Sequence, residues 1–198
     1  MANQDIPRGL VPVSTLGGYH CGSVGEYTIL AATGGALAVG DAVKQLTTGT
    51  DPEGLMTIAR ATSTDACCGV VVGFVADKDY ENQTHRTAST LRRVLVADDP
   101  NQLFMCQEQS IADGGTQLTF ADVGLNVDLV FGAVDTTTGL SNVEIDNGTT
   151  TTPAATATIV CKIIKLDQRV DNELGDHADW IIKINNHQFG SHTGTAGV

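Results

Sequence analysis

The chain has 198 residues, 41% of them hydrophobic and only 17% charged, with 22 glycines and a net charge of −12. That length holds one large β domain or two small ones, and low charge with abundant glycine suits a turn-rich β protein better than a helical one. The acidity argues against DNA or RNA as a direct partner, which needs clustered Lys and Arg, and no stretch approaches the roughly 18 apolar residues that span a membrane.

Residues 1–18 contain Pro7 and Pro12, three glycines and no hydrophobic period. They read as an extended arm that gains order by lying on something else, with a reach of roughly 60 Å. Its candidate contact residues are Ile6, Pro7, Leu10, Val11, Pro12 and Val13. If the arm lies outside the core, deleting residues 2–15 leaves the body folded. Residues 1–12 are polar and lack the apolar core of a secretory signal, so none is expected there.

The β body is expected to run in two halves, 19–115 and 116–189. Residues 19–30 predict a first strand packed through Val24, Tyr27 and Ile29. Residues 37–45 carry a turn or bulge signal at Gly40-Asp41, and 55–62 alternate as a strand. The run 66–75, ACCGVVVGFV, reads as a strand buried on both faces. Residues 77–89 read as an exposed loop, with a short helix as the alternative.

Residues 92–108, RRVLVADDPNQLFMCQE, are central. Two alternating apolar runs flank Asp98-Asp99-Pro100-Asn101, a set of turn residues, and predict a hairpin with 69–75 and 125–134 as neighbours. Residues 118–120 and 127–134 predict interrupted strand, 143–145 a short strand in a Thr-rich loop, and 156–166 and 180–185 two further strands. Residues 190–198 read as a flexible tail. The fold class is therefore all-β, with packed antiparallel sheets or small barrels and an extended N-terminal arm.

Chemical signatures are few. The loop DNELGDHAD places Asp171, Glu173, Asp176, His177 and Asp179 within nine residues, a donor set that suits calcium by type but lacks the EF-hand order. The preferred reading is a solvated loop, or one bridged to Arg169 or to a neighbouring chain, whose Asp171, Glu173, Asp176 and Asp179 act as charged rim residues and hold no metal. His20, His85, His177, His187 and His192 have no zinc-type spacing, and Cys67-Cys68 is vicinal. The cysteines, Cys21 among them, are expected to be reduced, with Cys67, Cys68, Cys106 and Cys161 buried. Asn82 and Asn147 begin glycosylation triplets that carry little weight without secretion. Asp98-Asp99 is read as turn chemistry, not as a catalytic pair. No nucleophile elbow, P-loop or dinucleotide fingerprint occurs, so no enzyme activity and no cofactor are expected.

The segments PRGLVPVSTLGG, GVVVGF, STLRRVLVADDPNQLFMCQE, ADVGLNVDLV and DNELGDHADWIIKINNHQF resemble a group of tailed-bacteriophage virion proteins encoded among the head genes. The resemblance implies a capsid cement, or decoration, protein on the outside of the shell, with the major capsid protein as partner. It supplies no contact residues. Self-association, as a trimer first and a dimer second, fits that role because one assembly then ties several capsid subunits. The alternative reading is a virion-surface carbohydrate-binding module using Thr136–Thr138 and Thr149–Thr152.

Overall fold

The computed structural model describes residues 3–18, 23–49, 51–81, 83–190 and 193–197. His20, Cys21, Asn82 and His192, and the first part of the strand expected at 19–30, lie outside the described residues. The architecture is all-β: three antiparallel sheets packed together, with two single-turn 3-10 helices.

The strands are β1 (Val11–Thr15), β2 (Gly25–Ile29), β3 (Ala42–Gln45), β4 (Ile58–Arg60), β5 (Gly69–Phe74), β6 (Arg92–Ala97) and β7 (Gln102–Gln107). They continue with β8 (Asn126–Val127), β9 (Leu129–Phe131), β10 (Val143–Ile145), β11 (Cys161–Leu166) and β12 (Asp179–Ile184). One sheet runs β2-β6-β5-β3-β4. A parallel bridge between Thr28 and Thr57, with Thr28 N donating to Met56 O at 3.0 Å, joins its two edges and curls it into a small barrel. The second sheet runs β1-β7-β12-β11-β8. Glu108, just past β7, forms a parallel bridge with Ile145 and so lies beside β10; β10 pairs with β9, which follows β8 directly, and a second ring closes.

Alternation explains how the two rings share a core. Tyr27, Ile29, Val43, Cys68, Val71, Val94 and Val96 fill the first barrel. Their strand neighbours Ala42, Cys67, Val70 and Ala97 point the other way and join Phe104, Cys106, Val127, Ile163, Trp180 and Ile182. Successive strand residues face opposite sides, so the run at 66–75 is apolar on both. The vicinal cysteines lie in different clusters for the same reason.

Four expectations are corrected. First, β6 and β7 do not form a hairpin. The turn is present, with Gln102 N donating to Asp99 O at 3.0 Å. Yet β6 already pairs with β2 and β5, and β7 with β1 and β12, so both edges of each strand are occupied. The chain turns a corner between the two barrels. The expected neighbour at 69–75 is indeed β5, but 125–134 splits into β8 and β9 and pairs elsewhere.

Second, Leu10 is part of the core and not a surface contact, and residues 11–15 form a strand of the body. Leu10 is 1% exposed within the shared core, and β1 is laddered to β7. At the crossing, Gly9 (φ +68°) and Gly40 (φ +94°) bring two backbones together, and Leu10 N donates to Gly40 O at 2.9 Å. A Cβ at Gly9 would collide with the Gly40 carbonyl, which leaves glycine as the residue that fits. β1 and β7 sit in one sheet with β11 and β12.

Third, 118–120 begins no strand. Thr119 caps the 3-10 turn Phe120–Asp122, its hydroxyl and the Asp122 carboxylate closing a capping box. Fourth, the described part of the tail is docked: Asn126 Nδ2 donates to Thr195 O at 2.8 Å, and Thr195 N donates to Asn185 Oδ1 at 2.9 Å. Of the three packing residues expected in the first strand, Tyr27 and Ile29 are buried, whereas Val24, just before β2, is exposed.

Two buried polar nodes hold the barrels in place. Asp41, fully buried, accepts from Ala38 N at 2.8 Å, Arg60 Nε at 2.9 Å and Ser141 Oγ at 2.7 Å, linking both barrels. Arg86, 1% exposed, gives its guanidinium to the carbonyls of Leu30, Thr33, Gly35 and Thr90.

Candidate functional site

The two groups of residues singled out in the sequence face each other. Residues 3–9 run as a strap across the loop that joins β11 to β12. Between them lies a cleft of about 190 Å³ whose lining includes Asn3, Ile6, Arg8, Met105, Gln107 and Arg169. Asn3 Nδ2 donates to Glu173 O at 2.8 Å and Asp176 O at 3.0 Å, and Glu173 N returns a bond to Asn3 Oδ1 at 3.0 Å. Gln107 ties strap to loop: its Nε2 donates to Gln4 O at 2.7 Å and His177 O at 3.1 Å, while Ile6 N donates to its Oε1 at 3.1 Å.

Of the expected arm contacts, Ile6 is 48% exposed, Pro7, Val11, Pro12 and Val13 are half-buried, and Leu10 is withdrawn into the core. The acidic loop is braced internally. Arg169 Nε donates to Asp167 Oδ2 at 2.6 Å, and the guanidinium also contacts Asp179 and, at 3.9 Å, Asp171. Asn172 Nδ2 donates to the carbonyls of Asp167 and Asp179 at 2.8 and 2.9 Å. Burial raises the Asp179 carboxyl even though Arg169 works against the shift. Asp176 accepts from Ile111 N at 2.9 Å. Asp171 and Glu173 remain exposed at the rim.

One constellation has no trace in local spacing. Asp5 on the strap, Glu144 on β10 and His177 in the loop bring ligand-capable atoms within 4.8 Å of one another. Val143 and Ile145 point into the core, so the pleat turns Glu144 outward toward this cluster. Its carboxyl is pushed up to about 7, first by burial and then by Asp5 and Asp113. His177 holds a left-handed backbone (φ +59°), a conformation that strains a non-glycine residue. Its Nδ1 stands 3.7 Å from Asp5 Oδ1 and its Nε2 3.7 Å from Asp176 Oδ2.

No protein-family model, curated protein or solved structure matches this chain.

The other polar candidates serve the fold. Asp98 accepts from Tyr27 Oη at 2.7 Å, and Asp99 Oδ1 from Asn101 N at 2.8 Å, which is turn chemistry. Thr138 Oγ1 donates to Asp135 at 2.8 Å, and Thr150 and Thr151 present backbone N–H groups to Asp146. His187 Nδ1 accepts from Phe189 N at 3.1 Å, and burial lowers its pKa to about 4. Cys67, Cys68, Cys106 and Cys161 are free and buried, and burial raises each thiol well above its usual range. Glu108, fully buried, was not singled out in the sequence: Trp180 Nε1 and Leu118 N donate to its Oε2 at 3.0 and 3.3 Å.

Proposed function

We propose that this protein is a structural virion component, a capsid cement or decoration protein that binds the outside of the major capsid shell and stabilises contacts between capsomers. The motif-level resemblance to tailed-phage head proteins favours the role. The observation that carries it here is the N-terminal strap. It lies extended over the second barrel and leads into β1, an edge strand with a partner on one side only. An edge of this kind takes up another extended segment through main-chain hydrogen bonds, which gives affinity without special side chains. Pro12 and the register shift between Pro12 and Ser14 shorten the open ladder, which discourages indiscriminate pairing. The braced body supplies stiffness, and the exposed acids Asp171 and Glu173 at the rim steer association without supplying most of the binding energy.

The test is add-back. Phage heads lacking this protein are incubated with purified protein, and retention and heat-induced DNA release are measured. Wild-type protein should bind and delay release. Ile6→Asp should bind more weakly at an unchanged melting temperature, because Ile6 is exposed. Binding should persist from low salt to roughly half molar, since charges screened over about 8–10 Å act mainly at the rim. Heads that neither retain the protein nor gain heat resistance would reject the reading, and specific retention on a glycan array would move it to a carbohydrate-binding module.

A further inference from the structure

We infer that Asp5, Glu144 and His177 form a divalent transition-metal site that clamps the N-terminal strap to the second barrel. The site stands on the geometry of these side chains and their neighbours, apart from the capsid reading.

The electrostatics ask for a cation at this point. Asp5 and the half-buried Glu144 bring two carboxylates within 4.8 Å of each other and of a His177 ring nitrogen. Among the described residues, no Lys or Arg pairs with Glu144, and its carboxyl takes part in no hydrogen bond. His177 is arranged as a ligand. Its side chain is only 16% exposed, and its Nδ1 is buried without a hydrogen-bond partner on the side facing Asp5. Its other nitrogen faces the Asp176 carboxylate, which is itself fixed by Ile111 N. A carboxylate behind the distal nitrogen is the usual support of a metal-bound imidazole, and the buried, unpartnered Nδ1 faces the Asp5 carboxylate at 3.7 Å.

The donor set selects the ion. Calcium and magnesium take oxygen ligands, whereas one imidazole with two carboxylates suits zinc and its neighbours. A tetrahedral ion with ligands at about 2.0–2.2 Å needs them roughly 3.3–3.5 Å apart, closer than the 4.8 Å envelope seen here. The movement falls on Asp5, whose side chain is 64% exposed and sits on the strap. Glu144 is fixed in a strand, and the His177 carbonyl is held by Gln107. Three protein ligands leave a coordination position for water or for a carboxylate of a docked partner. The ligands come from three distant parts of the chain, so an ion here ties the strap down and would set how much of it is free to engage another surface.

The experiment is a thermal melt and isothermal titration of the full chain with Zn2+, with Ca2+ as a parallel arm. Wild-type protein should bind one Zn2+, and at a hundredfold excess over Kd its melting temperature should rise by about 5–10 °C. Ca2+ should produce no comparable shift. Asp5→Asn, on an exposed strap position, should keep the apo melt and lose most of the zinc response. His177→Gln and Glu144→Gln should abolish it, and Asp176→Asn should weaken binding by about 10–100-fold. A wild-type melt indifferent to Zn2+, or a zinc response that survives in Asp5→Asn and His177→Gln alike, would overturn the assignment. So would equal responses to Ca2+ and Zn2+, or a stoichiometry other than one that persists in His177→Gln.

Discussion

Glu108 makes stability depend on pH in an unusual direction for a carboxylate. Its side chain is fully buried; Oε2 accepts from Trp180 Nε1 and Leu118 N, while Oε1 has no hydrogen-bond partner. Burial, assisted by Asp176 and Asp122, raises its pKa from 4.5 to about 8 against the pull of those two hydrogen bonds. The folded chain therefore holds a proton that the unfolded chain releases above about pH 4.5. Because the native state binds more protons across this window, stability falls as pH rises from about 4.5 to 8 and is level above it. At about 1.4 kcal/mol per pH unit, the full loss is about 5 kcal/mol, of which about 3 kcal/mol falls between pH 6 and 9. For a chain of this size that corresponds to about 6–12 °C in melting temperature. Glu108→Gln keeps the shape and the two accepted bonds but cannot ionise. Calorimetric melts of both proteins from pH 6 to 9 should diverge, the wild type losing stability relative to the variant with each step. Subtracting the curves removes other titrating groups such as Glu144. Parallel curves, or a wild type that gains stability relative to the variant as pH rises, would refute the reasoning.

Further outcomes follow from the core and its polar nodes. Leu10→Ala should destabilise the protein by about 2–5 kcal/mol in urea titrations, and deletion of residues 2–15 should cost most of the cooperative transition; a deletion protein that melts normally would show β1 to be dispensable. Asp41→Ala strands Arg60, Ser141 and the Ala38 N–H in the joint between the barrels and should cost about 3–5 kcal/mol, with Asp41→Asn milder; denaturant midpoints at constant m-value measure both. Cys67, Cys68, Cys106 and Cys161 should resist iodoacetamide in the native protein and all react in denaturant, as read by mass spectrometry, because each thiol is desolvated and protonated. Rapid native alkylation at any of the four would contradict that burial.

The sequence shows faces more readily than neighbours. Period 2 in 92–97 and 102–107 sets Val94 with Val96, and Phe104 with Cys106, on one face of each strand, and the structure buries those faces. It cannot show that β6 and β7 part company at Asp99, because alternation says which side of a strand is buried and nothing about its pairing. Leu10 illustrates a second limit. It stands in an aperiodic, proline-flanked stretch, and its burial comes from the Gly9–Gly40 approach made by distant chain. The 3-10 turn at Phe120–Asp122 was legible in the T-x-x-D pattern of a capping box, which the apolar run around it concealed. His177 stood out within the acidic loop, but nothing in local spacing joins it to Asp5 or Glu144: three different segments supply one residue each, and only the topology unites them.

The strap also orders events in time. Asn3 receives its bond from Glu173 N across 170 positions of chain. At a synthesis rate of about 5–20 residues per second, roughly 10–30 s separate the two residues on the ribosome. Leu10 and β1 lack β7 until residue 107 is made, and residues 3–9 lack the acidic loop until almost the end of that interval, whereas every strand of the first barrel, β2–β6, is present once residue 97 is made. The first barrel can thus mature early around Tyr27 and Val94, and the segment made before it is among the last to settle. A nascent chain halted before β12 would leave residues 3–9 open to proteases that the finished protein resists.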